Sequence, residues 1–348
     1  MGARPSGLPA AAAGSLITPG AAAVRDDGGM LPETPALLEL RHAVRGWLAR
    51  YPGPVAVALS GGADSLALTA ATVAQVPDVL ALIVDHRLQP GSQQVAERAA
   101  AHATTLGCRE VQILPVDVVG AGGLEAAARR ARYAALGRAR HGRNVLLGHT
   151  LDDQAETVLL GLARGSGPRS IWGMTDYDAP WGRPLLGVRR AVTRQACADL
   201  GLTPYADPHN DAPEFTRVRL RHEVLPLLDD VLGGGVADAL ARTAAQLRED
   251  GEVLDAQAAA MLDASDAAAG LSVPDLAGQP PAVRRRAIRL WLHANGAKAL
   301  TDKHLRAVDD LVGDWRGQGG VAIGGGTPEA RLVVVRRHGR LTLESEPR

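Results

Sequence analysis

A doubly wound, mostly parallel α/β sheet followed by a helical linker and a small α+β domain is the fold this chain predicts, and three observations carry that expectation. Four short apolar runs, over 54–59, 79–86, 110–118 and 144–149, alternate with segments of helical spacing. A glycine-rich turn, SGGADS at Ser60–Ser65, joins the first run to a helix-like segment. Beyond residue 222 the composition changes twice. Residues 223–269 carry ten Asp and Glu against two Arg, whereas residues 270–348 carry thirteen Lys and Arg against eight Asp and Glu.

Each element follows from local chemistry. Residues 1–34, rich in Ala, Gly and Pro, are expected to be a flexible leader. Order is expected to start at Pro35, where Leu38, Val44 and Leu48 recur at helical spacing. The first domain is expected at 35–222. Within it the helix "SQQVAERAAAHATTLG" stops at Gly107, and "GLEAAARRARYAALGRARHG" is a basic helix. The linker, 223–269, reads as long helices broken at Gly233–Gly235. In the basic domain at 270–348, "PPAVRRRAIRLWLHANG" and "KHLRAVDDLVGDW" are helices, and "EARLVVVRRHGRLTLE" is a hairpin turning near His338–Gly339.

Composition excludes several classes. No apolar run approaches the length of a membrane span. Cys108 and Cys197 lie far apart with no ligand cluster around them, which argues against a disulfide framework, a zinc site and thiol chemistry, and fits a reducing cytoplasm. Of 38 basic residues, 36 are arginine, an excess that GC-rich coding explains. The net charge is zero, yet local basic patches still permit contact with nucleic acid.

The turn at Ser60–Ser65 lacks the lysine of a Walker A loop and the third glycine of a dinucleotide fingerprint. It follows a strand and opens a helix, so it offers backbone N–H groups and a positive helix end to an anion. Gly61 and Gly62 allow close approach, and Ser60 and Ser65 add hydroxyls. Asp64 is anomalous beside phosphate unless it holds Mg²⁺ bridging to that phosphate; otherwise it is a helix N-cap. SGGADS resembles the pyrophosphate-binding loop of the PP-loop ATP pyrophosphatase superfamily, whose members adenylate an oxygen and let a nitrogen or sulfur nucleophile displace AMP. The resemblance implies ATP contacts at Ser60, Gly61, Gly62, Ala63, Asp64, Ser65 and His86.

Four further segments narrow it: "VDHRLQPGS" at 84–92, "LEAAARRARYAAL" at 124–136, "LLGHTLDDQAETVLLGLARGSG" at 146–167 and "DPHNDAPEFTRVRLRHEVLPLL" at 207–228. Together they resemble the tRNA(Ile)-lysidine synthase family. The resemblance implies an ATP-dependent ligase that adenylates the C2 oxygen of the wobble cytidine of tRNA(Ile) with a CAU anticodon. The side-chain amine of L-lysine then displaces AMP, and decoding switches from methionine to isoleucine. It further implies Asp64, Asp153, Glu156 and Arg217 as catalytic groups, with Asp64 as metal ligand. Asp153, Glu156 and Arg219 are expected to bind lysine, and Arg129, Arg130, Arg132, Arg164, Arg221, Arg284 and Arg285 to bind tRNA.

The residues suit that chemistry on their own terms. Asp153 and Glu156 are three apart on a helix and share a face that suits a cation. They are expected to grip the α-ammonium of lysine, because a carboxylate beside the reacting amine would hold it in its protonated form. Arg217, Arg219 and Arg221 alternate along the chain, a spacing also compatible with a solvated charged strand. With few aromatics, base stacking would fall to arginines or to Trp172 and Trp181. The alternatives are another adenylating PP-loop tRNA-modifying enzyme or a non-catalytic nucleotide- or tRNA-binding module. Oligomeric state is not legible, and a homodimer is compatible with the sequence.

Overall fold

The computed structural model describes residues 32–119, 123–165, 167–207, 214–263 and 270–348. The leader expected over 1–34 lies, except for its last three residues, outside the described residues, as do residues 208–213 of the arginine motif and 264–269 of the linker. The chain divides into two compact units: residues 1–156 with 174–238, and residues 157–173 with 239–348.

The first unit opens with α1 (Pro35–Arg50), capped by the Thr34 hydroxyl. It continues through β1 (Val55–Ala58), α2 (Ala63–Val73), β2 (Val79–Asp85), α3 (Ser92–Leu106), β3 (Glu110–Pro115), α4 (Leu124–Ala139), β4 (Asn144–Leu146) and the start of α5 (Leu151–Arg164). Two short strands, β5 (Tyr177–Asp178) and β6 (Trp181–Gly182), and helix α6 (Arg190–Asp199) follow. The six-stranded order is β3-β2-β1-β4-β6-β5, parallel except for the β5–β6 pair.

Alternation along the strands explains the layering. Val55, Val57, Val79, Ala81, Ile83 and Leu146 pack into one core with α1, α2, α3 and α6. Ala56, Leu80, Leu82, Val145 and Leu147 pack into another with Leu136 and Tyr133 of α4. The doubly wound expectation therefore holds. The chain leaves β1 toward β2 on one side and returns to β4 on the other, which opens a crevice at the carboxyl ends of β1 and β4.

The arginine motif differs from a strand. Residues 216–232 form α7 (Thr216–Arg219), a wide π-type turn (Leu220–Val224) and α8 (Leu225–Leu232), ended by three left-handed glycines, Gly233–Gly235. Helix α9 (Val236–Asp263) then begins. In the second unit an antiparallel sheet pairs β7 (Leu271–Ser272), β10 (Arg340–Pro347), β9 (Ala330–Arg337) and β8 (Val321–Ile323) in that order. Helices α10 (Val273–Ala277), α11 (Pro281–Ala294) and α12 (Asp302–Gly313) cover it around Ile288, Leu292, Val308 and Leu311. The expected hairpin is β9–β10, turning at His338–Gly339.

Candidate active site

A cavity of about 880 Å³ lies at the carboxyl ends of the parallel strands. Its floor is the glycine turn between β1 and α2. Gly61 adopts φ +86°, a left-handed conformation that favours glycine. Tyr205 N–H donates to the Gly61 carbonyl at 2.9 Å and ties the turn to the segment after α6. The Ser65 hydroxyl donates to the Gly62 carbonyl at 2.9 Å and lies 3.1 Å from the Ser60 hydroxyl. Ser60, Gly62, Ala63, Asp64 and Ser65 all line the cavity, with Gly62 preceding the first turn of α2.

Asp64 is held by two residues of α6. The Thr193 hydroxyl donates to Asp64 Oδ1, and Arg190 Nε stands 3.5 Å from Asp64 Oδ2. Burial raises the Asp64 carboxyl above the ordinary carboxylate value, against the pull of Thr193 and Arg190. Gly148, just past β4, packs against the same junction: a Cβ on it would lie 3.0 Å from the Asp64 carbonyl and the Ser65 nitrogen.

The acidic turn supplies the opposite wall. Asp153 Oδ2 accepts from the Thr150 amide and hydroxyl, both at 2.8 Å, which caps α5. Its Oδ1 takes Arg190 Nη2 at 2.6 Å. Burial alone would raise Asp153, but Arg190 and the Thr150 donors outweigh it and hold the carboxyl below the usual range. Asp152 turns away to Arg189, at 3.2 Å, and to the Arg190 amide, at 2.7 Å.

Glu156 is fully buried and closed off by arginines. Arg221 Nε donates to its Oε1 at 2.9 Å, Arg190 Nη1 stands at 3.3 Å, and Arg217 Nη1 lies 3.7 Å from Oε2. Helical backbone puts Arg217 and Arg221, four apart, on this one side. Arg219 points elsewhere: it is 60% exposed and pairs with Glu223 at 2.8 Å. The structure thus brings Asp64, Asp153, Glu156, Arg217 and Arg221 together and leaves Arg219 out.

Other expected positions fall differently. His86 lines the cavity. Arg129 and Arg130 are exposed on α4, with Arg129 4.8 Å from the Tyr133 ring centre. Arg132, expected to meet tRNA on the surface, instead turns into the cavity. Arg164 is exposed in the last turn of α5. Arg284 is committed to Asp309 at 2.5 Å in a largely buried pair, and Arg285 reaches the same carboxylate at 3.5 Å. Arg284 is therefore a structural group of the second unit. Trp172 packs on Gly251, and Trp181 meets Tyr133 edge-on at 4.7 Å.

Sequence reasoning missed Arg190 and Thr193. A signal existed, since an arginine opening a helix opposes the macrodipole and needs a carboxylate nearby. Nothing in the linear order says which carboxylate.

Two stretches of the chain match known families: residues 40–228 match the PP-loop domain, and residues 271–342 match the TilS substrate binding domain. A protein of Rhodococcus erythropolis named tRNA(Ile)-lysidine synthase is 68% identical over 321 residues, which cover 92% of this chain and 99% of that protein. The chain belongs to the tRNA(Ile)-lysidine synthase family. A Nocardia farcinica member is 69% identical over 313 residues, covering 89% of this chain and 98% of that protein. Among solved structures, the U34-tRNA thiolase NcsA from Methanococcus maripaludis, with its 4Fe–4S cluster, aligns with a TM-score of 0.50 and 18% identity. The alignment covers 62% of this chain and 80% of that one, and the likeness is one of fold. Burial pushes the thiols of Cys108 and Cys197 up, to about 12 and about 11, which keeps both protonated at neutral pH.

Proposed function

We propose that this chain is an ATP-dependent ligase that joins L-lysine to C2 of the wobble cytidine of tRNA(Ile) with a CAU anticodon. The cytidine O2 attacks the α-phosphorus of ATP and pyrophosphate leaves. The lysine side-chain nitrogen then bonds to C2 as the C2–O bond breaks, and AMP departs with the electron pair. The observation that carries the reading is one cavity lined by both the glycine turn and the Asp153–Arg190–Arg221 cluster, in a chain whose family bears that name.

The residues divide the work. Amides of residues 60–65 and the N-terminal end of α2 receive the leaving pyrophosphate. Asp64 fits a Mg²⁺ ligand in its position on the turn and its cavity exposure, although no three-residue metal cluster occurs among the described residues. The nucleotide's phosphates would therefore complete the coordination. Mg²⁺ supplies neutralisation of phosphate charge when bound.

Lysine recognition falls to Asp153, which of the acidic-turn carboxylates is the one that lines the cavity. Glu156 does not line the cavity and acts by positioning Arg190, Arg217 and Arg221. Asp64, Asp153 and Glu156 face three guanidiniums, so the cluster is balanced before substrate arrives. The α-ammonium of lysine must displace an arginine contact at Asp153, and its carboxylate offers Arg221 or Arg217 a replacement. About 1 in 2,000 lysine side chains is uncharged at neutral pH, so the cavity must also accept a proton. A tRNA modification fed by ATP and free lysine suits the cytoplasm.

The test incubates the chain with ATP, Mg²⁺, labelled lysine and tRNA(Ile) bearing CAU. Lysine in the tRNA and stoichiometric AMP are expected; AMP formation without lysine transfer would point to another adenylating reaction.

A further inference from the structure

The basic helix α4 faces two ways. Arg129 and Arg130 are exposed, whereas Arg132 enters the cavity beside His86 and His149. Arg132 Nε is closed to solvent and has no hydrogen-bond partner, and the same is true of Nδ1 on His86 and His149. Among the described residues no carboxylate forms an ion pair with Arg132. The rest of its guanidinium has a hydrogen bond to the Tyr133 side chain and lies near the like charge of Arg129, which leaves Nε and the net positive charge unanswered. A guanidinium taken out of water without a counter-ion is costly, as is an unpaired buried donor. Elsewhere in the cavity Arg190 and Arg221 show the ordinary solution, each against carboxylates.

The flanking groups do not neutralise Arg132. Asp85 lies near His86 and its Oδ1 accepts from the Arg87 amide, while Asp153 near His149 is committed to Arg190 and Thr150. Burial, with Arg132 adding to it, holds both imidazoles below the ordinary histidine value, His149 at about 4. At neutral pH Arg132 is thus the one cation of the three.

We propose that Arg132, flanked by His86 and His149, receives the α-phosphate of the nucleotide. The inference rests on the nucleotide chemistry proposed above. That phosphate is the group ATP, the adenylated base and AMP have in common. It takes a new bond from cytidine O2 as the bond to pyrophosphate breaks, and it later leaves on AMP with the C2–O electron pair. It bears negative charge in both steps, so a fixed cation that never releases a proton serves both. Backbone phosphates of tRNA are a poorer match, because Arg132 lies inside the cavity while Arg129 and Arg130 lie on the surface.

The full chain and its Arg132→Met and Arg132→Lys variants are titrated calorimetrically with AMP, adenosine, inorganic pyrophosphate and L-lysine. Arg132→Met is expected to weaken AMP binding about 10- to 100-fold, the range of a lost charge-assisted hydrogen bond. Arg132→Lys should lose less, with adenosine, pyrophosphate and lysine within about 2-fold of the parent. Unchanged AMP affinity overturns the proposal, as does equal loss for AMP and adenosine, which would mean a contact to base or sugar. Selective loss of lysine would assign Arg132 to the amino-acid carboxylate and also overturn it. If Arg132→Met misfolds, seen as lost pyrophosphate binding, the charge-keeping Arg132→Lys carries the same comparison. A parent chain that binds neither AMP nor pyrophosphate refutes the nucleotide chemistry itself.

Discussion

Arg190 Nη2 meets Asp153 Oδ1 at 2.6 Å, while the same guanidinium stands 3.5 Å from Asp64 and 3.3 Å from Glu156. One side chain of α6 therefore links the glycine turn after β1 to the acidic turn after β4. A single buried cation thus holds both turns.

Glu156 and Asp153 should separate in their effects. Glu156→Gln leaves three guanidiniums without their shared counter-charge, and removal of one partner from a buried pair costs about 3–5 kcal/mol. Urea unfolding should register that loss. Asp153→Asn is expected instead to raise the lysine concentration for half-saturation at least about 10-fold; unaltered lysine saturation would reassign the recognition carboxylate.

Arg221 and Arg219 give a second contrast. Arg221→Ala removes the 2.9 Å contact to buried Glu156 and should lower lysine transfer by at least about 100-fold. Arg219 forms an exposed pair of a kind worth about 0–1 kcal/mol, so Arg219→Ala should keep transfer within about 3-fold. Equal losses in steady-state assays would show that the helical phase of 216–224 does not sort these arginines.

Gly148→Ala tests the junction between the two turns. Its Cβ would stand 3.0 Å from the Asp64 carbonyl and Ser65 amide, backbone atoms that can move only by shifting the turn. Overpacking of this sort costs about 1–3 kcal/mol. The apparent KM for ATP should rise about 10-fold, with a smaller change for lysine.

Acid sensitivity follows from opposite shifts. Asp153 is held below its unfolded value, so its stabilisation is complete above the ordinary carboxylate pKa of about 3.9 and fades as pH falls through its folded value. Asp64 is raised, so its charged form costs stability once pH passes the unfolded value and that cost is relieved on acidification. Asp153→Asn should flatten the decline in unfolding midpoint below about pH 4. Asp64→Asn should raise the midpoint at pH 7 while abolishing adenylation.

Cys108 and Cys197 should resist alkylation by iodoacetamide at pH 8 until the chain is unfolded, because burial keeps both as thiols. Modification of the native chain, detected by intact mass, would show that these sites open.

Much of this was legible in linear order, for a physical reason. Strand burial, helix periodicity and glycine turns are local properties, so SGGADS, the acidic turn and the β9–β10 hairpin could be located from neighbouring residues alone. The alternation of Arg217, Arg219 and Arg221 misled, because a strand would place residues two apart on one side, whereas a helix turns them to different sides. The helical backbone joined Arg217 with Arg221 and released Arg219. Arg132 and Arg284 looked like their exposed neighbours, yet one enters the cavity and the other is committed to Asp309.

The sequence by itself determined the doubly wound sheet, the loop that suits phosphate, and the carboxylates and arginines available to the chemistry. Tertiary structure alone decided which charge faces which. Ion pairing depends on distance between elements remote in sequence, and Arg190 reaches Asp64 across 126 positions only because α2 and α6 pack side by side on one face of the sheet.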